Sequence, residues 1–321
     1  MRKFKIAVID TALNTENLLE NMHSKIEIKD YFYHDSKPLH STLVINTLIK
    51  YMDSNLIEKI FLYNVFCGEN KGSGIATILA LEDIIIKSDV DFMIMAITLN
   101  NKERYEYIEN LCKKITSLGI TIIAADSNRF TEKKCYPFSF DCVYGISQGA
   151  FVKKPFFCVD DMKIKHILGD AAPEFICYGK NNYCLFGGTS KAVPKFLASI
   201  INAFSGKNDI GSKKIKEWVK ANSLSSEDNT IRQIKENNYH VVYQQEIYDI
   251  LCKYISECPI DMSKHGELTP SFHMGQLGSH DLALFLIYIL KKFNIDTRLE
   301  DMRYTDFASL GNLCAYIGGQ I

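Results

Sequence analysis

Four short apolar runs, "KFKIAVID", "KIFLYNVF", "DFMIMAITL" and "ITIIAADSN", punctuate the first 128 residues of the chain. Each is rich in β-branched or bulky apolar residues and reads as a strand buried on both faces. Between them the apolar spacing becomes helical. "HSTLVINTLIKYM" has apolar residues at 43, 44, 45, 48 and 49, "IATILALEDIII" follows the turn "ENKGSG", and "RYEYIENLCKKITSLG" is stopped by Gly119. Strands alternating with helices in this way specify an α/β fold, a doubly wound parallel sheet with helices on both faces. Function in such sheets collects at the carboxyl ends of the strands. Asp10, Thr98 and Asn128 lie at or near those ends.

The bulk composition narrows the function classes. Of 321 residues, 47% are apolar and 23% charged, which is ordinary for a soluble globular protein. A formal net charge of −1 argues against a general binder of nucleic acid or of membrane surfaces. No apolar run approaches the roughly 18 residues of a transmembrane helix, and "MRKFKIAVIDTALN" meets Asp10 too early for a signal peptide. The ten cysteines (67, 112, 135, 142, 158, 177, 184, 252, 258 and 314) form no CxxC pair and no cluster at metal spacing. Several sit in apolar runs such as "PFFCV" and "EFICY", so the expectation is reduced thiols in a cytoplasmic protein with no metal. His23, His34, His166 and His240 are expected at the surface. No acidic loop shows clear calcium-ligand spacing, and calcium stays undecided.

After Ile201 the character changes. "DIGSKKIKEWVKANSL" is an amphipathic helix and "SSEDNTIRQIKENN" a polar linker or surface helix. From about Tyr243 the chain reads as helices without strands, long enough for a small all-α domain. The expected organisation is 1–224, a linker over 225–242, and a four-helix domain over 243–321.

"FGGTSKAVPKFLASII", residues 186 to 201, places Ser190 after two glycines at the start of a helix-period run. Two readings compete. A serine there can be an N-cap, worth about 1 kcal/mol. It can also be a nucleophile, which requires a base, an orienting acid and an oxyanion donor. Asp10 ends a strand, His40 opens a helix, and Ser190 opens another, in a known chain order for a nucleophilic triad.

With these residues in register the chain resembles the subtilisin-like serine peptidases, the S8-type subtilases. "AVIDTALN" is similar to the family's acid motif, "HSTLVINTL" to its histidine motif and "GGTSKAVP" to its serine motif. "NVFCGENKGSGIATILALEDII" resembles the segment whose glycines line the substrate cleft, here Gly72, Ser73 and Gly74. "ITIIAADSN" resembles the strand that ends in the oxyanion asparagine, here Asn128. "CYPFSFDCVYGISQGA" and "DAAPEFICY" resemble the loops that follow. The resemblance covers roughly residues 1 to 224. It implies that Ser190 attacks an acyl carbon, His40 takes its proton, Asp10 orients the imidazole, and Asn128 stabilises the oxyanion with the Ser190 backbone N–H. The implied partner is a peptide or protein substrate.

Six positions depart from the family pattern. Ala12 and Ser41 replace glycines after the aspartate–threonine pair and after the histidine, and Ser127 replaces the glycine before the oxyanion asparagine. Ala96, Ile97 and Thr98 stand where the cleft strand usually has serine, leucine and glycine. A Cβ where backbone must approach a substrate reshapes the pocket.

The C-terminal run "GQLGSHDLALFLIYILKKFNIDTRLEDMRYTDFASLGNLCAYI" resembles an acyl or peptidyl carrier protein. There a serine opening the second helix carries 4′-phosphopantetheine, and here that serine is Ser279. Gly278 replaces the usual aspartate and His280 the usual leucine. The plain alternative is an N-cap with polar first-turn neighbours. The two resemblances imply a cytoplasmic peptidase that processes a peptide in a specialised biosynthetic pathway, with a phosphopantetheinyl transferase and biosynthetic enzymes as further partners. The alternatives are an inactive subtilase-like scaffold and an acyltransferase working with the carrier domain.

Overall fold

The computed structural model describes residues 2–18, 20–32, 40–66, 72–99, 104–127, 135–149, 157–159, 166–179, 182–207, 210–223, 244–258 and 269–321. The expected linker therefore falls outside the described residues. Contacts divide the chain into two compact units: Met1–Ala171 with Gly187–Gln233, and Ala172–Phe186 with Ile234–Ile321.

The first unit is built on β1 (Phe4–Asp10), β2 (Ile26–Asp30), α1 (His40–Tyr51), β3 (Ile57–Asn64), α2 (Gly74–Lys87), β4 (Phe92–Met95), α3 (Tyr105–Ser117) and β5 (Thr121–Ala125). The four apolar runs are β1, β3, β4 and β5, as their residues require. Beyond them come β6 (Tyr144–Gly149), β7 (Phe157–Val159) and β8 (His166–Asp170). All eight strands form one sheet in the order β2-β3-β1-β4-β5-β6-β8-β7, parallel except for β7, which runs antiparallel to β8 at the edge. The fold is the expected α/β sheet. Two stretches read as loops are strands instead: Tyr144–Gly149 is an internal strand, and Glu174–Tyr178 is half of a hairpin described below.

Strand alternation sorts the two faces. Ala7 and Ile9 join Met93, Met95, Ile122 and Ala124 in a core with Ala80, Leu81 and Ile84 of α2 and Ile108, Leu111 and Ile115 of α3. Ile6, Val8 and Asp10 therefore point to the other face, where α1 lies. The helix α4 (Thr189–Phe204) packs along α1 and against β5, β6 and β8. Residues 189–198 of α4 are all buried, so this helix is enclosed on every side.

Gly169 of β8 is what lets α4 come so close. A Cβ built there would stand 2.7 Å from Ile146 Cγ2 and 2.9 Å from Ala192 Cβ, closer than carbon atoms pack. Gly169→Ala is expected to cost about 1–3 kcal/mol through overpacking, read as a lower midpoint in urea unfolding at unchanged slope. A midpoint equal to wild type would mean that the helix shifts freely, and that its seat is not set by this contact.

The second unit is not purely helical, as residues 243–321 alone would be. It joins the hairpin of β9 (Glu174–Tyr178) and β10 (Asn182–Phe186) to the C-terminal helices, whereas α5 (Ser212–Asn222) belongs to the first unit. Those helices are α6 (Gln245–Ser256), α7 (Ser279–Lys292), the short α8 (Tyr304–Phe307) and α9 (Leu310–Gly318). Phe175 of β9 is fully buried among Leu251, Phe285, Leu286, Phe307 and Leu313, with its ring 5.3 Å from that of Phe307. The apolar face of a two-residue-period strand is thus part of this core, and burying a phenylalanine is worth about 1.5–3 kcal/mol.

Candidate active site

In a parallel sheet every crossover helix begins at the carboxyl edge, so α1, between β2 and β3, opens there with His40. Asp10 is the last residue of β1, fully buried, and its alternation puts it on the α1 face. The two meet: His40 Nδ1 lies 2.7 Å from Asp10 Oδ1. The same oxygen accepts the backbone N–H of Thr11 at 2.6 Å. These bonds hold one carboxylate oxygen against the imidazole and fix the ring with its other nitrogen pointing away.

The acid loop is stitched to the start of α1 by residues that include the replacements of the family's glycines. Ser41 Oγ donates to the carbonyl of Ala12 at 2.6 Å, and the Ser41 N–H donates to Thr11 Oγ1 at 3.2 Å. Thr42 Oγ1 accepts the Asn14 N–H, and Asn46 Nδ2 donates to the Asn17 carbonyl. Ser41 is fully buried, so its hydroxyl satisfies a backbone group that a glycine would leave to another donor.

Burial disfavours the charged His40 ring, but the charge of Asp10 and its hydrogen bond more than offset this and hold the imidazole above its ordinary pKa. Such a group adds stability below its unfolded value near 6.5, and that stability fades as pH rises through the higher folded value.

Ser190 sits on the same edge, placed by backbone and side-chain ties. Gly188 caps α4 with φ of 76°, a left-handed conformation that suits glycine, and its N–H donates to the carbonyl of Ala171 just past β8. Thr189 Oγ1 donates to the carbonyl of Asp126 just past β5, at 2.8 Å. Ser190 is therefore the second helical residue and not the N-cap, which corrects the capping reading of its sequence. Pro194, four residues on, has no N–H for the Ser190 carbonyl.

The level of Ser190 relative to His40 follows from the packing of α1 on α4. Asn202 Nδ2 donates to the Tyr51 carbonyl at 2.8 Å, and Lys195 Nζ reaches the Tyr51 hydroxyl at 3.2 Å. Both helices start at the carboxyl edge of the sheet, so they run in the same sense. Eleven residues back from Tyr51 is His40, and eleven back from Asn202 is Lys191, one residue from Ser190. The structure brings Asp10 and His40 into direct contact, and Ser190, at 9% exposure, lies in the first turn of the helix that packs along α1.

Asn128 lies outside the described residues. The two residues before it are held in place: Asp126 accepts the Ser127 N–H at 2.7 Å and the Ser147 hydroxyl at 2.9 Å. The segments expected to line a substrate cleft also reach this edge. Gly72 and Ser73 precede α2, Gly74 begins it after β3, and Ala96, Ile97 and Thr98 follow β4. Ser73 is the N-cap of α2, its Oγ accepting the Ala76 N–H at 3.2 Å, so its hydroxyl has a structural task. Ala96 and Ile97 are buried and Thr98 is half-buried.

Motif reasoning misses Lys191 and Lys195. On successive turns of α4, both are almost wholly buried, and their ammonium groups lie 3.6 and 2.6 Å from Asp170 Oδ2 at the end of β8. Lys195 also stands 4.2 Å above the Tyr51 ring. These pairs pin the first turns of the serine helix to the sheet. The signal in the sequence is two lysines at i, i+4 spacing inside an apolar run, because buried charges must be paired.

Ser279 opens α7 after Gly278, which caps the helix with φ of 67°. It too is not the cap. Its hydroxyl is hydrogen-bonded to the Cys184 thiol of β10, and the residue is half-exposed. His23 is exposed, but His166 is half-buried and stacked on Phe138, with centroids 4.8 Å apart, because it begins β8 and not a loop. His34 and His240 lie outside the described residues. Among the described residues no group of three or more His, Cys, Asp or Glu side chains could hold a metal ion, and no helix is long and apolar enough to cross a membrane.

The fold is that of the subtilisin-like proteases. Among solved structures, a lanthipeptide protease aligns over 67% of this chain and 78% of its own, with a TM-score of 0.51 and 11% identity. The prenylagaramide maturation protease PagA aligns over 68% and 82%, with a TM-score of 0.51 and 16% identity. A cold-adapted subtilisin-like serine proteinase aligns over 66% and 79%, with a TM-score of 0.53 and 13% identity. No protein-family model matches the sequence, and no curated protein matches it in a sequence search.

Proposed function

We propose that this chain is a serine endopeptidase of the subtilisin type that processes a peptide or protein substrate. The observation that carries the reading is the Asp10–His40 hydrogen bond at the strand edge where the glycine turn presents Ser190. Asp10 ends β1, and the Ser190 turn is tied to the end of β5, two strands away, so about 10 Å separates the two strand ends. An aspartate-bound imidazole is suited to span that gap.

In this mechanism Ser190 Oγ attacks the scissile carbonyl carbon as its proton passes to His40 Nε2. The imidazolium is stabilised by Asp10 and then gives the proton to the leaving amine as the C–N bond breaks. Water, deprotonated by the same nitrogen, hydrolyses the acyl-enzyme. The tetrahedral oxyanion takes hydrogen bonds from the Ser190 N–H and from the Asn128 side chain. Gly72–Gly74 and Ala96–Thr98 flank the substrate. Two of the structural neighbours are a lanthipeptide protease and a maturation protease, which supports peptide maturation in a biosynthetic pathway as the setting. The cytoplasm is its proposed location, where thiols stay reduced.

The test is intact-protein mass spectrometry after exposure to a fluorophosphonate, which phosphonylates only an activated serine. One adduct, mapped to Ser190, is the expected result. A folded chain that takes no adduct overturns the peptidase in favour of a non-catalytic scaffold.

A second element of the proposal concerns Ser279. Its half-exposed hydroxyl at a helix start fits attachment of 4′-phosphopantetheine, provided the bond to Cys184 is given up. Incubation with coenzyme A and a phosphopantetheinyl transferase is expected to add one prosthetic-group mass to the wild type and none to Ser279→Ala. No gain on the wild type removes the carrier role and leaves the peptidase untouched.

A further inference from the structure

Arg104 stands immediately before α3, and its side chain lies against Gly74. A Cβ on that glycine would be 3.6 Å from Arg104 Cδ and 3.7 Å from Nη1, so the arginine stem and one guanidinium nitrogen cover the start of α2. The residue is half-buried, and among the described residues no carboxylate is paired with it. Elsewhere in this unit exposed cations find acids: Lys5 meets Asp89 and Glu58, Lys29 meets Asp83, and Lys113 meets Glu109. Arg104 is also held in place by its neighbour. Tyr105 stacks on Tyr136 at 4.0 Å and donates its hydroxyl to the Leu99 carbonyl, one residue past Thr98. Arg104 thus adjoins both segments proposed to flank the substrate: its side chain lies against Gly74, and its chain neighbour Tyr105 is bonded to Leu99.

We infer that Arg104 is a specificity-determining residue that takes an acidic side chain of the bound peptide. This rests on the peptidase reading and deepens it: the substrates are peptides with Asp or Glu at one fixed position near the scissile bond. The planar guanidinium offers parallel N–H donors that match a carboxylate, and a partly desolvated ion pair of this kind gains more than an exposed one.

The experiment is a peptide set of constant length in which each position near the cleavage site is varied in turn among Glu, Gln, Leu and Lys. Cleavage is normalised to the fraction of chain labelled by a fluorophosphonate, which carries no peptide side chain. Wild type is expected to favour Glu over Gln at one position by about tenfold in kcat/KM, expressed in KM, the effect of a hydrogen-bonded charge. Raising salt should narrow that ratio. Arg104→Ala should erase it, Arg104→Glu should turn it towards Lys, and Arg104→Lys should retain part of it. A wild type that is labelled at Ser190 and cleaves Glu and Gln peptides alike overturns this inference alone. So does an Arg104→Ala variant that keeps the preference. A folded wild type that is neither labelled nor active overturns the peptidase reading, and this inference falls with it.

Discussion

Ser190→Ala is expected to lower peptide hydrolysis by about 10³-fold or more while leaving the fold intact. The residue is nearly buried, but its hydroxyl is not the cap of α4, which Gly188 supplies through its own backbone conformation. The turn itself is held by the Gly188 bond to Ala171, the Thr189 bond to Asp126 and the two lysine pairs to Asp170. None of these involves the serine side chain. Thermal unfolding of Ser190→Ala should therefore stay close to wild type, within the change usual for a neutral substitution. Activity and fluorophosphonate labelling should both vanish. A variant that unfolded instead would show that the hydroxyl serves packing, and residual hydrolysis near the wild-type rate would assign the reaction to another nucleophile.

Asp10→Asn should cost about 10³–10⁴-fold in kcat and should also change the shape of the pH profile. In the wild type the carboxylate holds the His40 imidazole above its ordinary pKa, so the acid limb of kcat/KM should lie above pH 6.5. Activity rises as pH increases through that limb, because only the neutral ring accepts a proton. With an asparagine the negative charge is gone and burial is left to act, which disfavours the charged ring. The acid limb then moves to lower pH even as the maximum rate collapses. An amide oxygen can still accept from Thr11 and from the ring, so the geometry survives and the electrostatics do not. A limb that stays in place would show that Asp10 does not set the charge state of His40.

Two of the departures from the family pattern are partners: Ala12 supplies the carbonyl and Ser41 the hydroxyl of one hydrogen bond. The serine hydroxyl is what a glycine at 41 could not supply, and with the main-chain carbonyl of residue 12 it ties the acid loop to the histidine helix. That exchange favours a pre-set imidazole and is compatible with catalysis.

Much of this architecture is legible in the chain of residues alone. β1, β3, β4 and β5 stand out because a strand buried on both faces must be continuously apolar, and their crossover helices because an amphipathic period survives in any context. Asp10, His40, Ser190 and the cleft glycines belong to motifs with fixed order and spacing. Tyr144–Gly149 and His166–Asp170 do not announce themselves as strands. Each carries glycine in a short mixed run, and each is stabilised by partners distant in the chain, so the local pattern is that of a loop. The hairpin Glu174–Tyr178 with Asn182–Phe186 is hidden for the same reason: Phe175 finds its core among helices that come much later in the sequence.

The parallel α/β frame and the identities of the proposed reacting groups are written in consecutive residues, as hydrophobic periodicity and motif order. Three features are not: that Asp10 touches His40, that Gly188 rather than Ser190 caps the serine helix, and that Asp170 binds two buried lysines. The first and last, like the Thr189 tie that seats the serine turn, are hydrogen bonds and charge pairs between residues 21 to 63 positions apart. The cap depends on a backbone angle set by what surrounds the turn. All of them exist only once the folded sheet has brought its carboxyl edge together.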